Sequence, residues 1–297
     1  MSSRLLRELG SLPSTVVDWW RRTTAAAPVE QWLVFGGLPA MLVSLWLVPP
    51  VDGLGFSLAV DSLFESPHTL STAFTANYMH ASSRHLFDNL LNFWITLFGI
   101  YPLVSIADWH REFRLSAGVY LLVAPFVIAW LTLQTLGAIT DQPSVGFSGI
   151  VAAFLGFLPV VLAAAASEVT DGEVDTEWAA VPFLLSLAVV FLVPSVSYFP
   201  IQPMLAFGLV VCGLTIAGVL WQVDPPRRLD DYNRQLDPDV RLAFLIGSTV
   251  FVFGVAGALL VVRPGTNVWG HLAGYLVGFT VPYFGFVIRP LFRSVPE

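Results

Sequence analysis

A serine between glycines, Gly146-Phe147-Ser148-Gly149, and a histidine after a glycine, Gly270-His271, stand 123 residues apart (271 − 148) in this chain. Each opens a stretch apolar enough to cross a bilayer, where a polar side chain is costly and marks function by default. A serine hydroxyl beside a neutral imidazole is the pair that acyl transfer requires: the imidazole takes the hydroxyl proton and returns it to the leaving amine. The first N–H groups of a helix lack internal partners and carry partial positive charge, so the Ser148 N–H is suited to receive an oxyanion. Gly146 and Gly149 let backbone approach a substrate closely. For the serine taken alone, an ordinary helix cap is the commoner reading.

A third polar group lies upstream, in His80-Ala-Ser-Ser-Arg-His85-Leu-Phe-Asp-Asn89. His85 and Asn89 are four apart and share a helix face. The Asn89 amide and an imidazole N–H of His85 are donors of the kind an oxyanion hole uses, with His80 shaping the preceding loop. Ordinary interfacial histidines are the plain alternative. Metal binding by His80, His85 and Asp88 is a weaker one, because Asp88 points off the Asn89 face. Neither metal nor cofactor is expected. His110 is expected in a solvated loop, and His68 carries no evident role.

These groups act only if helices bring them together. Gly270, Gly274 and Gly278 repeat every four residues and give a bare stripe; Ser148, Ala152 and Gly156 offer a matching one. Small residues at this spacing let membrane helices approach closely. Apolar runs near 31–49, 86–105, 116–137, 148–166, 178–197, 203–222, 241–262 and 268–288 each have about the length one crossing needs, which predicts an all-α polytopic membrane protein of about eight spans. Residues 1–30 read as a cytoplasmic or interfacial amphipathic segment, 31–288 as the transmembrane domain and 289–297 as a cytoplasmic tail.

Composition agrees. The chain has 297 residues, of which 56% are hydrophobic and 12% charged, and a mean hydropathy of +0.73. The single cysteine excludes a disulfide framework. All 14 basic residues are arginine against 21 acidic residues, so no nucleic-acid surface is expected, and the acidic, lysine-free balance suits high salt. With the N-terminus inside, twelve arginines fall on the cytoplasmic side and only Arg84 and Arg263 outside. Loops 106–115, 167–177 and 223–240 are then inside, and 50–85, 138–147 and 263–270 outside. His85, Ser148 and His271 come to one level at the outer face.

His-x4-His-x3-Asn on an early span, Gly-x-Ser-Gly opening a middle one and Gly-His-x2-Gly-x3-Gly on the last resemble the rhomboid intramembrane serine proteases over residues 75–288. The resemblance implies a catalytic dyad of Ser148 and His271, an oxyanion hole of Asn89, His85 and the Ser148 N–H, and a helical bundle with a water-filled cavity opening outward. It also implies substrates that are single-span membrane proteins cut in or near the bilayer. The chain departs from the family pattern in several places. Loop 50–79 lacks the Trp-Arg pair, Gly99-Ile-Tyr-Pro stands where Gly-x3-Glu is common, and Ala152 replaces an aromatic that packs on the histidine. Three spans instead of one separate Ser148 from His271, so 241–262 is expected to be the fifth core helix and 178–222 an inserted hairpin. Two rivals are a catalytically silent relative that binds or escorts membrane clients, and a transporter or channel. The first has no need of Ser148, His271 and Asn89 together, and the second lacks charged residues near mid-bilayer.

Overall fold

The computed structural model describes residues 15–24, 27–47, 55–192, 202–223, 236–263 and 265–288. Among them the chain is helical, with no strand beyond an isolated bridge between Phe56 and Ser144. In chain order the helices are α1 (15–24), α2 (Pro28–Leu47), α3 (Pro67–Thr75), α4 (Ser83–Ile106), α5 (His110–Leu122), α6 (Ala124–Leu136), α7 (Ser148–Val169), α8 (Ala180–Leu192), α9 (Gln202–Val223), α10 (Pro238–Leu260) and α11 (Val268–Ile288). The helices α2, α4, α7, α9, α10 and α11 are each long and apolar enough to cross a membrane, and the pair α5–α6 makes a seventh if it is one span. This is the make-up of a multi-pass helical membrane protein.

Two of the eight expected spans look different. The third, expected as one helix over 116–137, starts at His110 and is bent by 44° between Leu122 and Ala124. Pro125 is the cause: it has no N–H for the Leu121 carbonyl and its ring crowds that oxygen. The Tyr78 hydroxyl donates to the Leu121 carbonyl instead. The fifth, expected over 178–197, is helical over Thr176–Leu192 among the described residues. Residues 193–197 lie outside the described residues.

α7 forms the centre because it is apolar on every face, the pattern of a helix with no side turned to solvent. Of its most apolar window 89% is buried, against 11% for α9. Its most extensive partner is α11, with α4 and α10 packed against other faces. The α7–α11 contact is limited by backbone. A Cβ built on Gly274 would lie 1.9 Å from the Gly149 carbonyl oxygen, and one on Gly278 would lie 2.0 Å from that of Ala153. A Cβ on Gly156 would meet the Tyr275 oxygen at 2.3 Å. The stripe facing α11 is therefore Gly149, Ala153 and Gly156: Gly156 is where it was expected, while Gly149 and Ala153 take the places of Ser148 and Ala152. Ser148 is thus next to the contact instead of in it.

α10 packs on α4 and α7, while α9 packs chiefly on α8. α8 docks on α11 through Phe183 stacked on Phe279 at 3.7 Å and through Ser186 bonded to the Tyr275 hydroxyl at 2.7 Å. Residues 15–24, in α1, pack on the bundle. Trp19 is buried and donates to the Asp239 carbonyl at 3.0 Å, Trp20 stacks on Phe98, and Arg22 clasps Asp239 at 2.6 and 3.0 Å. The hydrogen bond to Asp239 raises the Arg22 pKa.

His110 is likewise no solvated loop residue. It begins α5, and its Nδ1 meets the buried Glu30 carboxylate at 3.0 Å, with Arg114 on the other carboxylate oxygen at 2.7 Å. A buried carboxylate needs such partners, and Glu30 at the start of α2 finds them on α5.

Candidate active site at the mouth of α7 and α11

The turn into α7 is set by its neighbours. Gly146 has φ +127°, a conformation that favours glycine, and its N–H donates to the Ala76 carbonyl at 2.9 Å. Phe147 is fully buried, wedged against Phe93 and Tyr78, and occupies the N-cap position. Ser148 is then the first residue of the helix and not its cap, so the plain capping reading does not describe it.

Ser148 and His271 line one cavity, with Gly146, Gly149, Gly270, Ser144, Asn77 and Asn267 around them. Its volume is about 20 Å³, room for one water. A Cβ on Gly149 would fall 3.1 Å from the Gly270 carbonyl oxygen, so the residues adjoining Ser148 and His271 are in near contact.

His271 is buried, with Nδ1 2.8 Å from the Ala258 carbonyl oxygen. A carbonyl only accepts, so Nδ1 carries the proton and Nε2 holds the lone pair, ready to act as a base. The acceptor is one of the last carbonyls of α10, which no further turn of that helix can satisfy. It takes the orienting place that a carboxylate fills in a three-membered triad. No spacing in the sequence announces it, because any residue at the end of a helix offers the same group.

Asn89 and His85 approach from α4 on the Gly146 side. A Cβ on Gly146 would lie 2.6 Å from His85 Cε1 and 3.6 Å from the Asn89 amide nitrogen. Glycine is thus required here for contact as well as for φ. The Asn89 amide nitrogen is buried without a hydrogen-bond partner. An unsatisfied buried donor costs about 1–3 kcal/mol.

His80 packs edge-on against His85 with ring centroids 5.3 Å apart. Burial pushes its imidazole down to about 4, with repulsion from His85 adding to the shift and the Tyr78 backbone opposing it. His80 is therefore uncharged at neutral pH. Asp88 turns away from these rings and pairs with Arg263 at 2.7 Å, which ties α4 to the loop leading into α11. Among the described residues no three His, Cys, Asp or Glu side chains gather as metal ligands.

The cavity thus brings a hydroxyl at a helix start together with an imidazole held by a carbonyl, with no hydrogen bond between Ser148 and His271, while Asn89 and His85 stand behind Gly146 and do not line it. Comparison with protein-family models, with curated proteins and with solved structures gave no match.

Proposed function

We propose that this chain is an intramembrane serine endopeptidase of rhomboid type, acting on single-span membrane proteins. The observation that carries the reading is the shared cavity of Ser148 and His271, with His271 Nδ1 committed to the Ala258 carbonyl. His271 Nε2 removes the Ser148 proton as the oxygen attacks the scissile carbonyl. The oxyanion is held by the Ser148 N–H, Asn89 and His85. His271 then protonates the leaving amine, the peptide C–N bond breaks and an acyl-enzyme remains. A water, deprotonated by the same imidazole, releases the acid and frees Ser148.

A cavity with room for one water admits a peptide only if an element moves. The exposed Asp88–Arg263 pair is a weak fastening, worth about 0–1 kcal/mol. The same resemblance and the arginine distribution support a site opening to the outer face, with both termini cytoplasmic.

The direct test is labelling of purified protein by a fluorophosphonate probe. Wild type should be labelled and Ser148→Ala should not. Equal labelling would move the nucleophile elsewhere, and no labelling of wild type would favour a silent, client-binding relative.

Asn89→Ala should lower turnover on the order of 10²–10³-fold while leaving substrate affinity near wild type, the loss typical of one oxyanion donor. A change in affinity alone would make Asn89 a substrate-positioning group. Orientation can be checked in a Cys212→Ala background with one cysteine at Ile139 or at Asp171. An impermeant thiol reagent on intact cells should label position 139 and spare 171; the reverse pattern would invert the topology.

A further inference from the structure

Asn267 precedes α11 and does two things with one side chain. Its Oδ1 accepts from the Gly270 N–H at 2.8 Å, capping the helix one residue before His271. A cap of this kind uses only the oxygen. The amide nitrogen is turned the other way, 2.8 Å from Thr132 Oγ1 on α6 and 3.2 Å from Ser144 Oγ. Ser144 lies four residues before Ser148, in the loop that delivers the nucleophile. That loop is otherwise tied to the outer segment, by the Phe56–Ser144 bridge and by Gly146 to Ala76. The Asn267 amide is its tie to the helix that bears the base, and Asn267 also lines the cavity that Ser148 and His271 share.

We infer that Asn267 is the positioning residue of the dyad, a side-chain strut that fixes the Ser148 loop against the His271 helix. The inference rests on the hydrolase reading for its consequence, while the strut itself stands on geometry. Glycines set how closely α7 and α11 approach, but a glycine stripe does not hold a loop. A displacement near 1 Å between reacting groups is enough to cost about 10²-fold in rate. The hydroxyls of Thr132 and Ser144 can donate as well as accept, so a carboxylate at 267 can replace the strut and a short hydroxyl cannot.

Three variants separate capping from positioning. Asn267→Leu removes both roles. Asn267→Ser keeps a capping oxygen and loses the reach to Ser144. Asn267→Asp keeps the cap and accepts from both hydroxyls. Thermal unfolding should show Leu destabilised, with Ser and Asp near wild type. Fluorophosphonate labelling of Ser148 should fall about tenfold to a hundredfold in Asn267→Ser and return to within a few-fold of wild type in Asn267→Asp. Hydrogen exchange of residues 140–147 should rise in Asn267→Ser and not in Asn267→Asp. Wild-type labelling rates in a stable Asn267→Ser protein would reduce the residue to a cap and overturn the inference. If the wild-type protein took up no probe, the hydrolase reading would fall. The strut would then be decided by exchange alone: unchanged protection of 140–147 in Asn267→Ser would overturn it.

Discussion

Ser148→Ala and His271→Ala are each expected to abolish cleavage of a model transmembrane substrate, by about 10⁴-fold or more, without loss of expression or membrane insertion. Neither half of a dyad works alone: without His271 the hydroxyl keeps its proton, and without Ser148 the imidazole has nothing to activate. The double variant should therefore be no slower than either single one, since groups acting as a unit are not additive. Ser148→Ala is the cleaner of the two, because it removes one half-buried oxygen at a position that is not the helix cap. Gel-based cleavage with purified variants measures the loss, and substantial turnover by either would end the mechanism. Additive losses in the double variant would point to two residues with separate tasks.

Gly274→Val should be as damaging by a wholly physical route. The added Cβ would sit 1.9 Å from the Gly149 carbonyl oxygen, and that atom is backbone in the first turn of the facing helix. No rotamer change relieves such a contact, so α11 must move away from α7. Overpacking a core costs about 1–3 kcal/mol and sometimes more; with backbone on both sides a loss of 3 kcal/mol or more is expected. Separation also carries His271 away from Ser148, so probe labelling should vanish along with thermal stability. Gly257→Ala is the matched control, since a Cβ there meets nothing within 4 Å; its labelling and unfolding midpoint should stay near wild type. A Gly274→Val protein with wild-type stability and labelling would show that the helices are not held at backbone contact.

The placement of Ser148 and His271 on one cavity is legible in the sequence because local rules govern it. Ser148 and His271 sit in the first turns of their helices, and glycines at four-residue intervals declare a close helix contact before its partner is known. Even the short α3 carries its signal: Ser66 caps it by accepting from the Thr69 N–H at 3.0 Å, and Pro67 follows as the first helical residue. What the sequence hides is long-range. The Ala258 carbonyl that orients His271 belongs to a residue with no functional side chain. Glu30 finds its partners His110 and Arg114 80 and 84 residues away, beyond the reach of any local pattern. On α7 the contact runs through Gly149 and Ala153 to Gly156 and not through Ser148 and Ala152, because spacing by fours is only an approximation to the helical period. Pro125 is visible in the chain, but whether it ends a span or bends one depends on Tyr78 reaching the carbonyl it strands.

The same device recurs deeper in the bundle. Pro282 leaves the Gly278 carbonyl without its helical donor, and the Tyr120 hydroxyl supplies one at 2.6 Å. A ladder of glycines four apart would fit nearly as well after α11 slid by one rung, about 6 Å along its axis. Sliding would carry the imidazole a full rung past the serine. Tyr120 forbids it, because the carbonyl four residues before Pro282 is the one that the missing N–H leaves open, and a slip presents the hydroxyl with an oxygen already taken. The alignment of Ser148 with His271 is thus read from a mark more than a helical turn along α11. Tyrosine and proline act as the pin and notch of a vernier whose scale is the glycine stripe.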